Sequence, residues 1–132
     1  MTLNLYDRFE QLFTVSEEVY QGFISLFGDK NPLHTDHNFA RAHGFIGKVM
    51  HGNILNGFLS YFIGECLPVK NVIIHTQSIQ YKKPVYLNDT LTFEAIVTGI
   101  FDSVKAVELK FSFKNQDRRE LAKGKIQIGI LS

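Results

Sequence analysis

Two hydrophobic repeats divide the chain near Pro68. Before it, apolar residues fall in adjacent pairs that recur every four positions, which is typical of an α-helix. The pairs are Ile54 and Leu55, Phe58 and Leu59, Phe62 and Ile63, and Cys66 and Leu67. Pro68 is expected to end this helix. Gly57, Ser60 and Gly64 lie on its other side, where a backbone or a ligand could approach closely. We therefore predict a buried helix over 54–67.

Apolar and polar side chains alternate in the second half of the chain, as they do in β-strands with one face toward a core. The pattern predicts four strands, at 72–81, 91–97, 107–114 and 122–130. Pro84 is expected to mark a bend or bulge, because proline cannot donate to a β-ladder. Strands at this spacing favour an antiparallel meander.

Shorter elements are predicted before the apolar helix. Residues 13–15 are expected to form a short strand, and Ser16 to cap a helix that runs to about Phe27. Asp36 is expected to cap a short helix that Gly44 stops. A helix that precedes a meander buries its surface most economically inside a curved sheet. We therefore predict an α+β fold, with residues 1–132 as a single hotdog domain.

Composition narrows the function classes. The net charge is +1 with no dense basic run, and no apolar stretch reaches the ~18 residues of a membrane span, so neither nucleic acid nor membrane is an expected partner. One cysteine cannot form an internal disulfide, and the first ten residues lack the pattern of an export signal. These features favour the cytoplasm. An open sheet would leave the N–H and C=O groups of its edge strands unpaired. Pairing with a second copy would satisfy them, so a homodimer is expected.

The candidate chemistry lies just before the apolar helix. A polar loop carries Asp29 and His34, and His51 and Gly52 follow shortly before Ile54. A helix N-terminus has unpaired N–H groups and favours negative charge. An acid, an imidazole and such a helix start together suggest proton transfer on a carbonyl compound.

The residues from this loop to the end of the helix resemble the signature of the MaoC-like, (R)-specific enoyl-CoA hydratase family. The shared residues are Gly28, Asp29, Asn31, Pro32, Leu33, His34, Asp36, Ala40, Phe45, Gly47, His51, Gly52, Ser60, Gly64, Leu67 and Pro68. Members of this family are hotdog lyases that add water to a trans-2-enoyl thioester or remove it from a (3R)-hydroxyacyl thioester. The resemblance implies a substrate carried by coenzyme A or an acyl-carrier protein, with no metal or redox cofactor.

The resemblance also assigns roles. Asp29 and His34 would hold and activate one water, and the proton taken from it could return to the α carbon on the same face. The Gly52 N–H would stabilise the enolate oxygen. Asn31 and Pro32 would support the loop, and His51 would orient the loop or cap the helix.

The chain departs from the family pattern at three positions: Phe27 replaces a small residue, Asn53 a methionine and Val69 a glycine. Phe27 and Asn53 would lie near the site, so they bear on the acyl substrate more than on the reaction. Ser60 is a further candidate for the acyl pocket, although it could equally serve close packing.

Several alternatives remain open from the sequence. A hotdog thioesterase would need a carboxylate on the central helix, and the candidate there, Glu65, would lie about 20 Å along the helix axis from Gly52. A non-catalytic acyl-binding subunit would normally lack the acid or the histidine. The histidines and Asp36 show no closed metal-ligand spacing, so no metal site is expected. A further alternative concerns basic residues that could meet coenzyme A phosphates or could simply be solvated: Lys82, Lys83, Arg118, Arg119, Lys123 and Lys125.

Overall fold

The computed structural model describes residues 2–132. Its strands are β1 (Arg8–Thr14), β2 (Val72–Tyr81), β3 (Thr90–Phe101), β4 (Ala106–Lys114) and β5 (Glu120–Ile130). Its α-helices are α1 (Glu17–Phe27), α2 (Pro32–Thr35), α3 (His37–Ala42) and α4 (Asn53–Tyr61). A π-helical turn, Phe62–Cys66, continues α4, and a 3-10 turn, Asp102–Val104, joins β3 to β4. Within the described residues, no helix combines the length and the apolar character needed to span a membrane.

The five strands form one antiparallel sheet in the order β1-β3-β4-β5-β2. The four predicted strands are present, but the predicted meander is correct only for β3, β4 and β5. β2 pairs with β5 instead of β3, in a register that joins Val72 to Ile130. The connection from β2 to β3 contains Pro84 and is longer than a tight hairpin turn, so it can carry the chain across the sheet.

The first strand is longer than predicted. β1 covers Arg8–Thr14 and pairs with β3 along its whole length, from Arg8 against Ile96 to Thr14 against Thr90. Its exposure alternates from residue to residue. The prediction was too short because it relied on apolar residues, whereas Arg8, Glu10 and Gln11 in the first half of this strand are charged or polar.

The buried helix and the sheet form one core, as predicted. Leu55, Leu59 and Phe62 from the helix are almost fully buried, as are Phe93 and Leu109 from the sheet. Aromatic packing joins the layers, with the rings of Phe62 and Phe93 centred 4.6 Å apart. The predicted helix over 54–67 is confirmed in extent, although its last part is π-helical.

The predicted caps are confirmed. The Ser16 side chain accepts a hydrogen bond from the Val19 N–H at the start of α1, and the Asp36 side chain accepts one from the Phe39 N–H at the start of α3. α2 was not predicted, because four residues are too few to show a hydrophobic period.

Candidate active site

The polar loop between α1 and α3 is shaped by its own short side chains. Gly28 ends α1 with a φ of 73°, a conformation that suits glycine. The Asn31 N–H then donates to Asp29 Oδ1 at 3.1 Å. The Asn31 side chain caps α2 by accepting from the Leu33 N–H at 3.0 Å, and Pro32 occupies the first turn. Asn31 and Pro32 thus build the helical turn that carries His34.

His34 is held at both its ring and its backbone. Its Nδ1 lies 2.7 Å from the Val49 carbonyl oxygen, and since a carbonyl can only accept, Nδ1 carries the hydrogen. The neutral ring therefore leaves Nε2 with a free lone pair, as a general base requires. The buried Tyr20 hydroxyl donates to the His34 carbonyl. Tyr20 was not predicted as a site residue, because a tyrosine on an amphipathic helix gives no sign in the sequence of a distant backbone partner.

The fold brings Asp29 and His34 together. A carboxylate oxygen of Asp29, a ring nitrogen of His34 and a ring nitrogen of His51 all lie within 4.8 Å of one another. Two hydrogen bonds of roughly 2.8 Å through one water can span such a distance. Asp29 is exposed and His34 half-buried, so water can reach the pair. The arrangement can hold one water between an acid and a base.

His51 lies behind this pair as a buried support. Its Nε2 donates to the Asp29 backbone carbonyl at 2.8 Å, and its ring is centred 4.0 Å from that of His34. The residue is 3% exposed, and its Nδ1 has no hydrogen-bond partner among the described residues. Because Nε2 carries the hydrogen, that Nδ1 is an unprotonated acceptor in the neutral ring.

Two imidazoles and a carboxylate at these separations also form a donor set that a metal ion could use. This cluster was not predicted, because the expectation of no metal site rested on the spacing of the histidines and Asp36 in the sequence. Asp36 instead caps α3. Two members of the cluster lie on the polar loop and the third lies just before α4, a spacing that matches no compact metal-binding motif.

The start of α4 provides free N–H groups next to the cluster. Gly52 is the N-cap residue of α4. In the part of the chain that the structure describes, the N–H groups of Gly52 and Asn53 donate to no protein acceptor. A Cβ atom at Gly52 would lie 2.9 Å from the ring of Tyr81, which explains the glycine. These two N–H groups can bind a developing oxyanion.

Several of the candidate residues line two cavities. The larger, of about 1060 Å³, lies between α1 and α4, and Asp29, Phe27 and Asn53 are among its lining residues. Most of its exposed lining is apolar, and it includes Leu26 and Phe27, which are 80% and 72% exposed. The smaller, of about 500 Å³, is lined by His34, Gly52 and Asn53 among others. Asn53 lines both cavities. Ser60, a candidate for the acyl pocket, is exposed and lines neither.

The charged residues singled out in the sequence fall in two places. Lys82 and Lys83 line the smaller cavity. Lys82 also forms an ion pair with Glu120 at 2.8 Å, which raises the pKa of Lys82 and lowers the pKa of Glu120. Glu65, which the thioesterase alternative requires, is exposed beside Lys70 and lines neither cavity.

Known proteins share both the sequence pattern and the fold. The sequence profile of the MaoC-like domain matches residues 7–116. An (R)-specific enoyl-CoA hydratase of Rhodospirillum rubrum is 34% identical over 97 residues, which are 74% of this chain and 67% of that protein. An (R)-specific enoyl-CoA hydratase of Aeromonas caviae is 38% identical over 78 residues, which are 59% of this chain and 58% of that protein.

Solved structures extend the likeness over the whole fold. An (R)-hydratase of A. caviae superposes with a TM-score of 0.90 at 26% identity, over 98% of both chains. An unliganded R-hydratase of Pseudomonas aeruginosa gives a TM-score of 0.87 at 26% identity, over 97% of this chain and 82% of that one. The predicted fold and family are confirmed: the chain is a hotdog protein and belongs to the MaoC-like domain family.

Proposed function

We propose that this chain is a hydro-lyase that reversibly adds water to a trans-2-enoyl thioester to give a (3R)-hydroxyacyl thioester. The observation that carries the proposal is the Asp29 carboxylate within 4.8 Å of the His34 ring, beside the free N–H groups that begin α4. Relatives named (R)-specific enoyl-CoA hydratase and 3-hydroxybutyryl-CoA dehydratase support the same reaction.

In the hydration direction, Asp29 and His34 hold one water. One of them takes a proton from this water while the water oxygen forms a bond to the β carbon of the substrate. The π electrons of the C=C bond form a new double bond between the α carbon and the carbonyl carbon, and those of the C=O bond move onto the oxygen. The N–H groups of Gly52 and Asn53 stabilise the resulting enolate. The proton then passes to the α carbon as the carbonyl re-forms, so one water has been added and no other reactant is required.

The cavity between α1 and α4 is proposed to bind the acyl chain. Its lining is mostly apolar and includes both Phe27 and Asp29. An apolar groove with few polar groups suits a hydrocarbon tail whose reactive end must meet specific donors. Lys83 lines the smaller cavity and is proposed to meet a phosphate of coenzyme A or of the carrier-protein prosthetic group.

We further propose that the reaction uses no metal or redox cofactor, because Asp29, His34 and the start of α4 account for every proton and electron shift. Dialysis against EDTA is therefore expected to leave the turnover rate unchanged. A loss of activity that Zn²⁺ or another divalent cation restores would instead make the Asp29, His34 and His51 cluster a metal site. The cytoplasmic location expected from the sequence stays a prediction.

A homodimer is proposed because β2 is an edge strand without a covering layer. Its residues are exposed on both faces, including Ile73 at 50% and Ile74 at 36%. Pairing with β2 of a second copy would satisfy its free edge and cover these side chains. Light scattering should give a molar mass of twice that of the chain. The Ile73→Lys variant should give a lower mass, closer to that of the monomer, because it places a charge in the proposed interface. A monomeric wild type would contradict this proposal.

The reaction is tested by mixing the purified protein with trans-2-enoyl-CoA substrates of increasing chain length and following loss of the enoyl absorbance. Chiral analysis of the product should give the (3R) isomer. Release of free coenzyme A without hydration would favour a thioesterase instead. Binding of the enoyl-CoA without turnover would favour a non-catalytic acyl-binding subunit.

A further inference from the structure

We infer that the side-chain amide of Asn53 is a further catalytic group, which donates a hydrogen bond to the thioester oxygen as the enolate forms. This inference rests on the proposed hydratase function and adds a donor to it. The backbone N–H groups that begin α4 would then act together with one side-chain N–H.

The position of Asn53 is the first observation. It is the first residue of α4 and follows Gly52 directly. It lines both the cavity that contains Asp29 and the cavity that contains His34 and Gly52. A substrate whose acyl chain lies in the first cavity and whose thioester reaches His34 must pass this side chain.

The orientation of the amide is the second observation. Asn56 Nδ2 donates to Asn53 Oδ1 at 2.9 Å, so the oxygen of the Asn53 amide is occupied. Asn56 Oδ1 in turn accepts from Gln77 Nε2 at 2.9 Å, and Asn56 Nδ2 also donates to the Tyr81 hydroxyl at 3.0 Å. In this chain of bonds from β2, the Asn56 amide turns its Nδ2 toward Asn53, and the Asn53 amide turns its Oδ1 toward Asn56.

The consequence is a free donor. With Oδ1 bound to Asn56, Asn53 Nδ2 keeps both hydrogens, and within residues 2–132 they reach no protein acceptor. Asparagine side chains are established oxyanion donors, whereas methionine, the residue expected here from the family pattern, has no hydrogen to donate. The presence of asparagine instead of methionine at position 53 therefore changes the electrostatics of the site as well as the shape of its pocket.

The test compares Asn53→Met with wild type, using the best enoyl-CoA substrate. Loss of a buried oxyanion donor lowers kcat on the order of 10²–10³-fold. Because Asn53 is exposed to competing water, we expect a fall of about 10- to 100-fold in kcat. The Kd for a saturated acyl-CoA, butyryl-CoA, should stay within about twofold, since a donor specific to the enolate does not bind the ground state more tightly.

Two further variants complete the experiment. Asn56→Leu frees the Asn53 amide to turn and should give a smaller loss in kcat than Asn53→Met. Asn4→Met makes the same chemical change at an exposed position outside both cavities and should leave kcat unchanged.

The outcomes separate this inference from the proposed function. Full activity in Asn53→Met, or an equal weakening of kcat and butyryl-CoA binding, would overturn the inference while leaving the hydratase intact. A wild type without hydratase activity on any enoyl-CoA would overturn both.

Discussion

The two halves of the candidate site are built in opposite ways. The acid–base half, residues 28–36, carries its chemistry on the side chains of Asp29 and His34, and a set of local hydrogen bonds holds them. The oxyanion half, residues 51–53, presents backbone N–H groups that donate to no protein acceptor in the described chain. Each catalytic group of the first half can therefore be removed by a single side-chain substitution. The second can be changed only through backbone position or through Asn53.

The largest expected effect comes from the acid–base half. Asp29→Asn and His34→Ala each remove one partner of the shared water and should lower kcat by at least 10²–10⁴-fold, the usual contribution of a positioned acid or base. Enoyl-CoA hydration rates measure the loss, and circular dichroism checks the fold.

Matched changes outside both cavities, Asp117→Asn and His43→Ala, should leave the rate unchanged. Near-normal turnover in either site variant would remove that residue from the mechanism.

The oxyanion half is expected to respond to Gly52→Ala. The new methyl group would meet the Tyr81 ring at 2.9 Å, so the ring or the start of α4 must shift. A displaced N–H donor should lower kcat by about tenfold, less than the full loss of a donor.

Gly64→Ala is the control for Gly52→Ala, since a Cβ there meets nothing within 4 Å. If both variants retained wild-type kcat, the position of the Gly52 N–H would not matter to the reaction.

His51 links the two halves and should affect stability as well as rate. His51→Ala leaves the Asp29 carbonyl without its donor and removes the ring packed on His34. We expect the free energy of unfolding to fall by about 1–3 kcal/mol, because the variant loses a hydrogen bond and leaves a cavity where the buried imidazole packed. Urea unfolding measures this change, and unaltered stability would show that the His51 bond is dispensable.

The smallest effect is expected at Tyr20, which acts on His34 only through its backbone. Tyr20→Phe removes one hydrogen bond to the His34 carbonyl and should lower stability by about 0.5–1.5 kcal/mol. Because this bond positions His34, kcat should also fall several-fold with KM unchanged. A purely structural role would lower stability and leave kcat as in wild type.

Local patterns allowed much of the fold to be predicted from the sequence. The period of the apolar residues gave the buried helix, and Ser16 and Asp36 marked the helix starts. The partner of β2 could not be predicted, because strand pairing depends on where a long connection leads and not on the strand's own residues.

The same distinction applies to the site. Asp29, His34 and Gly52 were identified because they resemble a family signature, and the fold places them close together. Their supports depend on contacts between distant segments, such as Tyr20 to His34 and Gln77 to Asn56. A single sequence carries no local pattern for such contacts.

The central claim is that one water, shared by Asp29 and His34, supplies both the hydroxyl and the proton. It is tested most directly by hydrating crotonyl-CoA in D₂O and determining the relative configuration of the product at its α and β carbons by NMR. Addition of deuterium and hydroxyl to the same face is the predicted result. Addition to opposite faces would show that a group elsewhere delivers the proton and would contradict the shared water.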